Sequence, residues 1–176
     1  VAWVKAGDAV SGTDWVYGPT RRFFDRELGR FGVSVTYYDP LIGGDIEREM
    51  LPNTRVVFAE SPGSLTFEVQ DIPAIAAAAH ARGALLMIDN TWATPLGFAA
   101  FAHGADISLY QVTKDVGGDS DVLDGIIACN EATHPAVHRH LTDMDGSASR
   151  DECSLCPRGR LTTAKREERP NSLAKG

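Results

Sequence analysis

Two apolar runs of the sequence end in side chains able to do complementary chemistry. Asp89 lies in LLMIDNTWATP (residues 85–95), and Lys114 lies in DISLYQVTKDVGGDSD (residues 106–121). A lysine amine adds to a carbonyl carbon to give an imine, which a second amine can exchange. A carboxylate beside a basic ring nitrogen keeps that nitrogen protonated, because opposite charge favours the charged form. A protonated ring is the better sink for an electron pair. Asp89 and Lys114 are candidates for these two roles. Either residue alone is, in most proteins, a solvated surface charge, so the argument needs elements that bring them to one place.

Residues 33–37, 55–59, 84–88, 106–110 and 125–129 are short apolar, β-branched runs. Their near-continuous hydrophobicity fits strands covered on both faces, as in a mainly parallel sheet. Between them, residues 20–31 and 73–82 read as helices. The second is the clearer: Pro73 suits a first turn, an alanine run favours helix, and Gly83 can end it. Strand alternating with helix predicts an α/β fold, a mainly parallel sheet between helices. In open sheets of this kind ligands bind beyond the carboxyl ends of the strands. Asp89 at one strand end and Lys114 after another can therefore face one crevice. From residue 143 onward charges and small polar residues dominate, with KREER at 165–169, and a weak helix or frayed tail is expected.

Longer stretches carry a resemblance. ESPGSLTFEVQDIPAIAAAAHARGALLMIDNTWATPLGF (60–98) and YDPLIGGDIEREMLPNTRVVFAESPGS (38–64) are similar, nearly word for word, to the central part of bacterial cystathionine β-lyases. TDWVYGPTRRF (13–23) and TKDVGGDSDVLDG (113–125) extend the likeness, which runs to about residue 141. Those enzymes belong to the cysteine and methionine metabolism family of pyridoxal-phosphate-dependent enzymes. The resemblance implies part of the large domain of the fold type I transferase fold over residues 1–142. Residues 143–176 then form a divergent segment leading toward a C-terminal domain. It implies pyridoxal 5'-phosphate as cofactor and a small amino-acid substrate. Tyr17 would stack on the cofactor ring and assist proton transfer. Asp89 would pair with the pyridine nitrogen, Thr113 would hydrogen-bond the phosphate, and Lys114 would carry the aldehyde and shuttle protons. The implied reaction is β-elimination of cystathionine to homocysteine, pyruvate and ammonia, in methionine biosynthesis, by a homotetramer. A γ-lyase, a γ-synthase, a cysteine-S-conjugate β-lyase or an inactive fragment are the alternatives.

Composition narrows the classes. A net charge of −7 argues against broad nucleic-acid or anionic-membrane binding, which needs basic surface. No run approaches the roughly 20 apolar residues needed to span a bilayer. The first residues, VAWVKAGDAV, lack signal-peptide architecture, so a cytoplasmic location is expected. Cys129, Cys153 and Cys156 are too few and odd in number for a disulfide framework. One Cys153-x-x-Cys156 pair, and His134, His138 and His140, do not make a metal site, and none is expected. Taken by itself, a turn-flanking tyrosine such as Tyr17 is more often a packed surface aromatic than a ring stacker. Glu60–Ser64 could be a post-strand turn, but the resemblance makes it a wall of the site. Gly117-Gly118 could be a simple turn or permit close backbone approach.

Several positions depart from the family pattern. Asp115 stands where an aromatic is usual, Asp119 where histidine is usual, and Asp124 where the position is apolar or small. Extra carboxylates buried near a phosphate site are costly, and they would raise the lysine's pKa. Pro157 is expected to interrupt a helical approach to the next domain. The chain starts at Val1 without a methionine, which suggests missing upstream sequence. The family's glycine-rich phosphate loop, the tyrosine and arginine lent by a partner subunit, and the C-terminal substrate-binding arginine have no match here.

Overall fold

A computed structural model describes residues 1–117 and 123–173. The chain begins with β1 (Ala9–Thr13), α1 (Gly18–Arg22), β2 (Ser34–Tyr38) and β3 (Thr54–Glu60). It continues with α2 (Ile72–Ala81), β4 (Leu85–Asp89), the single turn α3 (Thr94–Gly97) and β5 (Ile107–Gln111). It ends with β6 (Gly125–Cys129), α4 (His134–Asp143) and α5 (Arg150–Leu173). Among the described residues the six strands form one sheet in the order β2-β1-β3-β4-β5-β6. All neighbours are parallel except β5 and β6, which run antiparallel. This is the expected α/β class.

Five of the six strands fall where the apolar runs place them, within a residue or two. β1, AVSGT, is the addition. It is buried at every position although its residues are small and partly polar. Gly12 explains its composition: a Cβ there would come within 3.1 Å of the Phe24 ring, so the helical segment above it needs a strand with little bulk.

Strand order reverses beside β1. The chain steps from β1 to β2 on one side, then crosses back to β3 on the other. Right-handed crossovers put successive helices on opposite faces when the direction of travel changes. α1 and the π-helical turn that continues it (Phe23–Leu28) accordingly cover one face. There Phe24 and Leu28, one helical turn apart, pack with Val10, Val56 and Phe58. The Phe24 and Phe58 rings meet edge to face at 5.2 Å. α2 lies on the other face, over Val57, Ala59, Leu86 and Ile88. Asp71 caps it by accepting a hydrogen bond from the Ala74 amide at 3.1 Å. Gly83, at φ +69, ends it.

Cover is unequal. The α2 face is sealed along β3 and β4, whereas Met87 and Leu109 on the α1 face are only partly buried. The expectation of strands covered on both faces therefore holds for β1 and β3 but not for β4 to β6. At the edge, Ile126 and Ile127 are 43% and 44% exposed.

Of the two expectations for the end of the chain, weak helix or frayed tail, the structure shows a helix, α5, which packs against the turn after β5. It runs through Pro157 without a break, contrary to expectation. A proline removes one amide from the ladder, and this long helix is secured at its start by a reciprocal cap. Ser149 Oγ accepts from the Glu152 amide at 3.2 Å, while Glu152 Oε2 accepts from the Ser149 amide at 3.3 Å. No helix among the described residues is long and apolar enough to cross a membrane.

Candidate active site

The carboxyl ends of β1, β3, β4 and β5 make one rim of the sheet. β3 and β4 are in register with Glu60 opposite Asp89, and β4 and β5 with Asp89 opposite Leu109. Partners across a parallel ladder point to the same face. Asp89 therefore follows Met87, and Glu60 follows Val56 and Phe58, on the incompletely covered α1 face.

A cavity of about 600 Å³ lies on that face. Its floor is made by Val10, Val56, Phe58, Met87 and Leu109, and its polar end by Tyr17, Asp89, Thr91 and Gln111. Asp89 Oδ1 accepts from the Thr91 amide at 3.0 Å, which turns the chain after β4. Tyr17 precedes α1 and is 50% exposed, with its side chain on the cavity wall. α1 is held down by Arg21, whose guanidinium pairs with Asp14 at 2.8 Å and lies 3.9 Å over the Tyr37 ring.

A buried polar network anchors the loop that follows β3. Gln70 Nε2 donates to Thr13 Oγ1 at 3.1 Å and to the Glu60 carbonyl at 2.8 Å. Gln70 Oε1 accepts from the Tyr38 hydroxyl at 3.1 Å. Ser61 Oγ accepts from the Gln70 amide at 3.0 Å. These bonds tie β1, β2 and β3 together at the rim and hold the start of the Glu60–Ser64 segment, none of whose residues lines the cavity.

Lys114 and Thr113 stand at the same rim, on a π-helical turn (Val112–Val116) directly after β5. Lys114 breaks the helical conformation there, at φ −86 and ψ −118. Its side chain is exposed and lies outside the lining of the cavity. Thr113 Oγ1 accepts from Gln111 Nε2 at 3.2 Å. The structure thus brings Tyr17 and Asp89 to one cavity, with Thr113 and Lys114 on the adjoining turn. Asp124 is half-buried, and its carboxylate accepts from the Gly125 amide at 2.7 Å, so it is a bonded acid rather than an orphan. Gly118, Asp119 and Asp121 lie outside the described residues, as does the side chain of Asp115.

Charge decides whether pyridoxal phosphate suits this rim. Asp89 has no ion-pair partner among the described residues, and its neighbour Glu60 is a second acid. Burial pushes the Glu60 carboxyl above the usual carboxylate range. Hydrogen bonds from Ser64 and Tyr17 oppose that shift, and the Asp89 charge adds to it. The polar end of the cavity is thus deficient in positive charge, which a protonated ring nitrogen supplies. Tyr17 adds an aromatic wall to the cavity, and the Thr113 hydroxyl and Lys114 amine stand on the adjoining turn outside its lining. The residues fit the group.

Known proteins agree. The model of the Cys/Met metabolism PLP-dependent enzyme family matches residues 1–175. The chain belongs to this family. A Saccharomyces cerevisiae member, provisionally named a cystathionine beta-lyase, is 49% identical over 92% of the chain and 48% of its own length. The cystathionine beta-lyase of Escherichia coli is 38% identical over 92% of the chain and 42% of its own. The chain therefore spans less than half the length of these relatives. Among solved structures, a cystathionine gamma-lyase from Lactobacillus plantarum, complexed with L-serine, superposes with a TM-score of 0.88. It is 31% identical, covering 92% of this chain and 42% of that one. The family's pyridoxal-phosphate-dependent enzymes share this mixed, mostly parallel sheet.

One site residue escaped the sequence reading as an individual. Glu60 was legible only as part of a turn or wall. Its signal was available as an acid ending an apolar strand, the same pattern that singled out Asp89.

Proposed function

We propose that this chain is part of a carbon–sulfur lyase that cleaves L-cystathionine by β-elimination to homocysteine, pyruvate and ammonia. The observation that carries the reading is Asp89, uncompensated by any described cation, at the polar end of a cavity walled by Tyr17. Bound pyridoxal phosphate supplies an aldehyde for an amine and a ring that delocalises the electron pair left at the substrate α-carbon. Asp89 would hold the proton on the ring nitrogen, Tyr17 would pack on the ring face, and the Thr113 hydroxyl would donate to the phosphate. Lys114 would hold the aldehyde and serve as the base for the substrate α-proton.

The similarity to named β-lyases of yeast and E. coli favours β-elimination. Two γ-lyase structures among the neighbours favour a second reading, γ-elimination to cysteine and 2-oxobutyrate. We assign the β-reaction to methionine biosynthesis by transsulfuration, in the cytoplasm, in a homotetramer. Residues 1–142 form the cofactor-binding part and 143–176 the segment leading away, a division supported by the end of α4 at Asp143.

Borohydride reduction of the chain incubated with pyridoxal phosphate, followed by peptide mass spectrometry, tests the site. The expected result is a reduced adduct on Lys114, absent in Lys114→Ala. An adduct spread over surface lysines, or none on a folded chain, defeats the assignment. Product analysis with cystathionine then separates pyruvate from 2-oxobutyrate.

A further inference from the structure

Glu60 does something that no part of the proposed reaction requires of it. It is the last residue of β3, 8% exposed, and its two carboxylate oxygens go to two different segments. Oε2 accepts from the Tyr17 amide at 2.7 Å, across 43 positions of sequence. Oε1 accepts from Ser64 Oγ. β1 and β3 are the pair at which strand order reverses, the place where open sheets present their ligand crevice. Glu60 joins the loops that leave those two strands at that point. No described cation balances it, and Asp89 stands beside it. A buried acid in such company is stabilised by hydrogen bonds to donors that cannot leave, and the Tyr17 amide is one of them.

We infer that Glu60 is a positioning residue: through the Tyr17 amide and the Ser64 hydroxyl it clamps the Tyr17 loop to the Glu60–Ser64 segment, and so fixes the Tyr17 ring on the cavity. The inference rests on the proposed cofactor site for its purpose but not for its geometry. The Tyr17 carbonyl accepts from the Arg21 amide at 3.0 Å, so both of its backbone groups are bonded and its ring is placed by its own main chain. The bond reaches the backbone, so a change of side chain at position 17 leaves the clamp intact, whereas a change at position 60 moves the ring without touching it.

Amide hydrogen exchange on the isotopically labelled chain tests this without cofactor. Glu60→Ala should speed exchange of the Tyr17 amide by about 10-fold or more, the loss of a charge-assisted bond, while Val57 and Leu86 stay protected. Glu60→Gln should restore protection, since its amide oxygen can accept from Tyr17 and its nitrogen can donate to Ser64. In the unsubstituted chain the Tyr17 amide shift should follow the titration of the Glu60 carboxyl carbon, and this response should vanish in Glu60→Gln. An unchanged Tyr17 amide in a folded Glu60→Ala chain overturns the inference. So does a titration response that survives in Glu60→Gln, which applies even if Glu60→Ala does not fold. Uptake of pyridoxal phosphate, followed by absorbance, is scored separately. No uptake with a responsive Tyr17 amide retains the clamp and rejects the cofactor reading. Normal uptake with an unresponsive amide rejects the clamp alone.

Discussion

Asp89 and Glu60 face the same way from adjacent strands yet have different surroundings. Asp89 is partly exposed and accepts from the Thr91 amide; in the proposed reading it would face a ring nitrogen. Glu60 is buried, and its carboxyl is held above its ordinary range. Asp89→Asn removes the charge and keeps the shape. Elimination in a protein that carries the whole site should fall on the order of 10²-fold, the scale for losing a preorganised electrostatic partner; steady-state kinetics on a full-length relative bearing the same change checks it. Glu60 makes stability depend on pH with a definite sign. A raised carboxyl binds its proton more tightly in the fold than in the unfolded chain. Its contribution is full below the unfolded value and is lost as pH rises through the folded one. Denaturation midpoints should therefore slope downward across that interval in the natural chain, and the slope should flatten in Glu60→Gln. Asp89 and Lys114 were legible by type, because each ends an apolar run. The role of Glu60 was not, because it depends on Tyr17, which only the fold brings near.

Elements were read best where side-chain bulk announces them. β3, β4 and β5 are rich in branched and aromatic residues and stand out in the sequence. β1 does not, since AVSGT looks like a loop until the Phe24 ring is seen above Gly12. The strand is small because its cover is close. Gly12→Val should destabilise the chain by about 1–3 kcal/mol through overpacking, measured by urea unfolding, while Gly29→Ala, which meets nothing within 4 Å, should have little steric effect. α5 shows the opposite case. Its Ser149–Glu152 cap is written in the sequence, but the charge-rich composition allowed only a weak helix or frayed tail, and Pro157 pointed toward a break. The cap and packing against the Val112–Val116 turn outweigh one missing amide.

At the scale of the molecule, the class of fold followed from alternating runs, but the strand order did not. Order depends on contacts between residues far apart, and periodicity carries no such information. The one-sided cover was hidden for the same reason. It has a measurable correlate. Ile88, fully buried against α2, should cost about 2–5 kcal/mol when cut to alanine. Leu109, on the partly open face, should cost less, because water already reaches it. Comparative urea titrations of the two variants test the asymmetry.

The antiparallel turn-back from β5 into β6 has a consequence of its own. Every parallel step must send the chain home to the opposite rim before the next strand begins, so its linker is spent on transit. The passage from Gln111 to Gly125 makes no such journey, since the Val112 amide bonds to the Asp124 carbonyl at 2.9 Å and the ladder closes behind it. The segment bearing Thr113 and Lys114 is thus a detour that begins and ends beside the same strand. The order and register of the sheet are thus set by the two ends of this passage, at Val112 and Asp124, and not by its length.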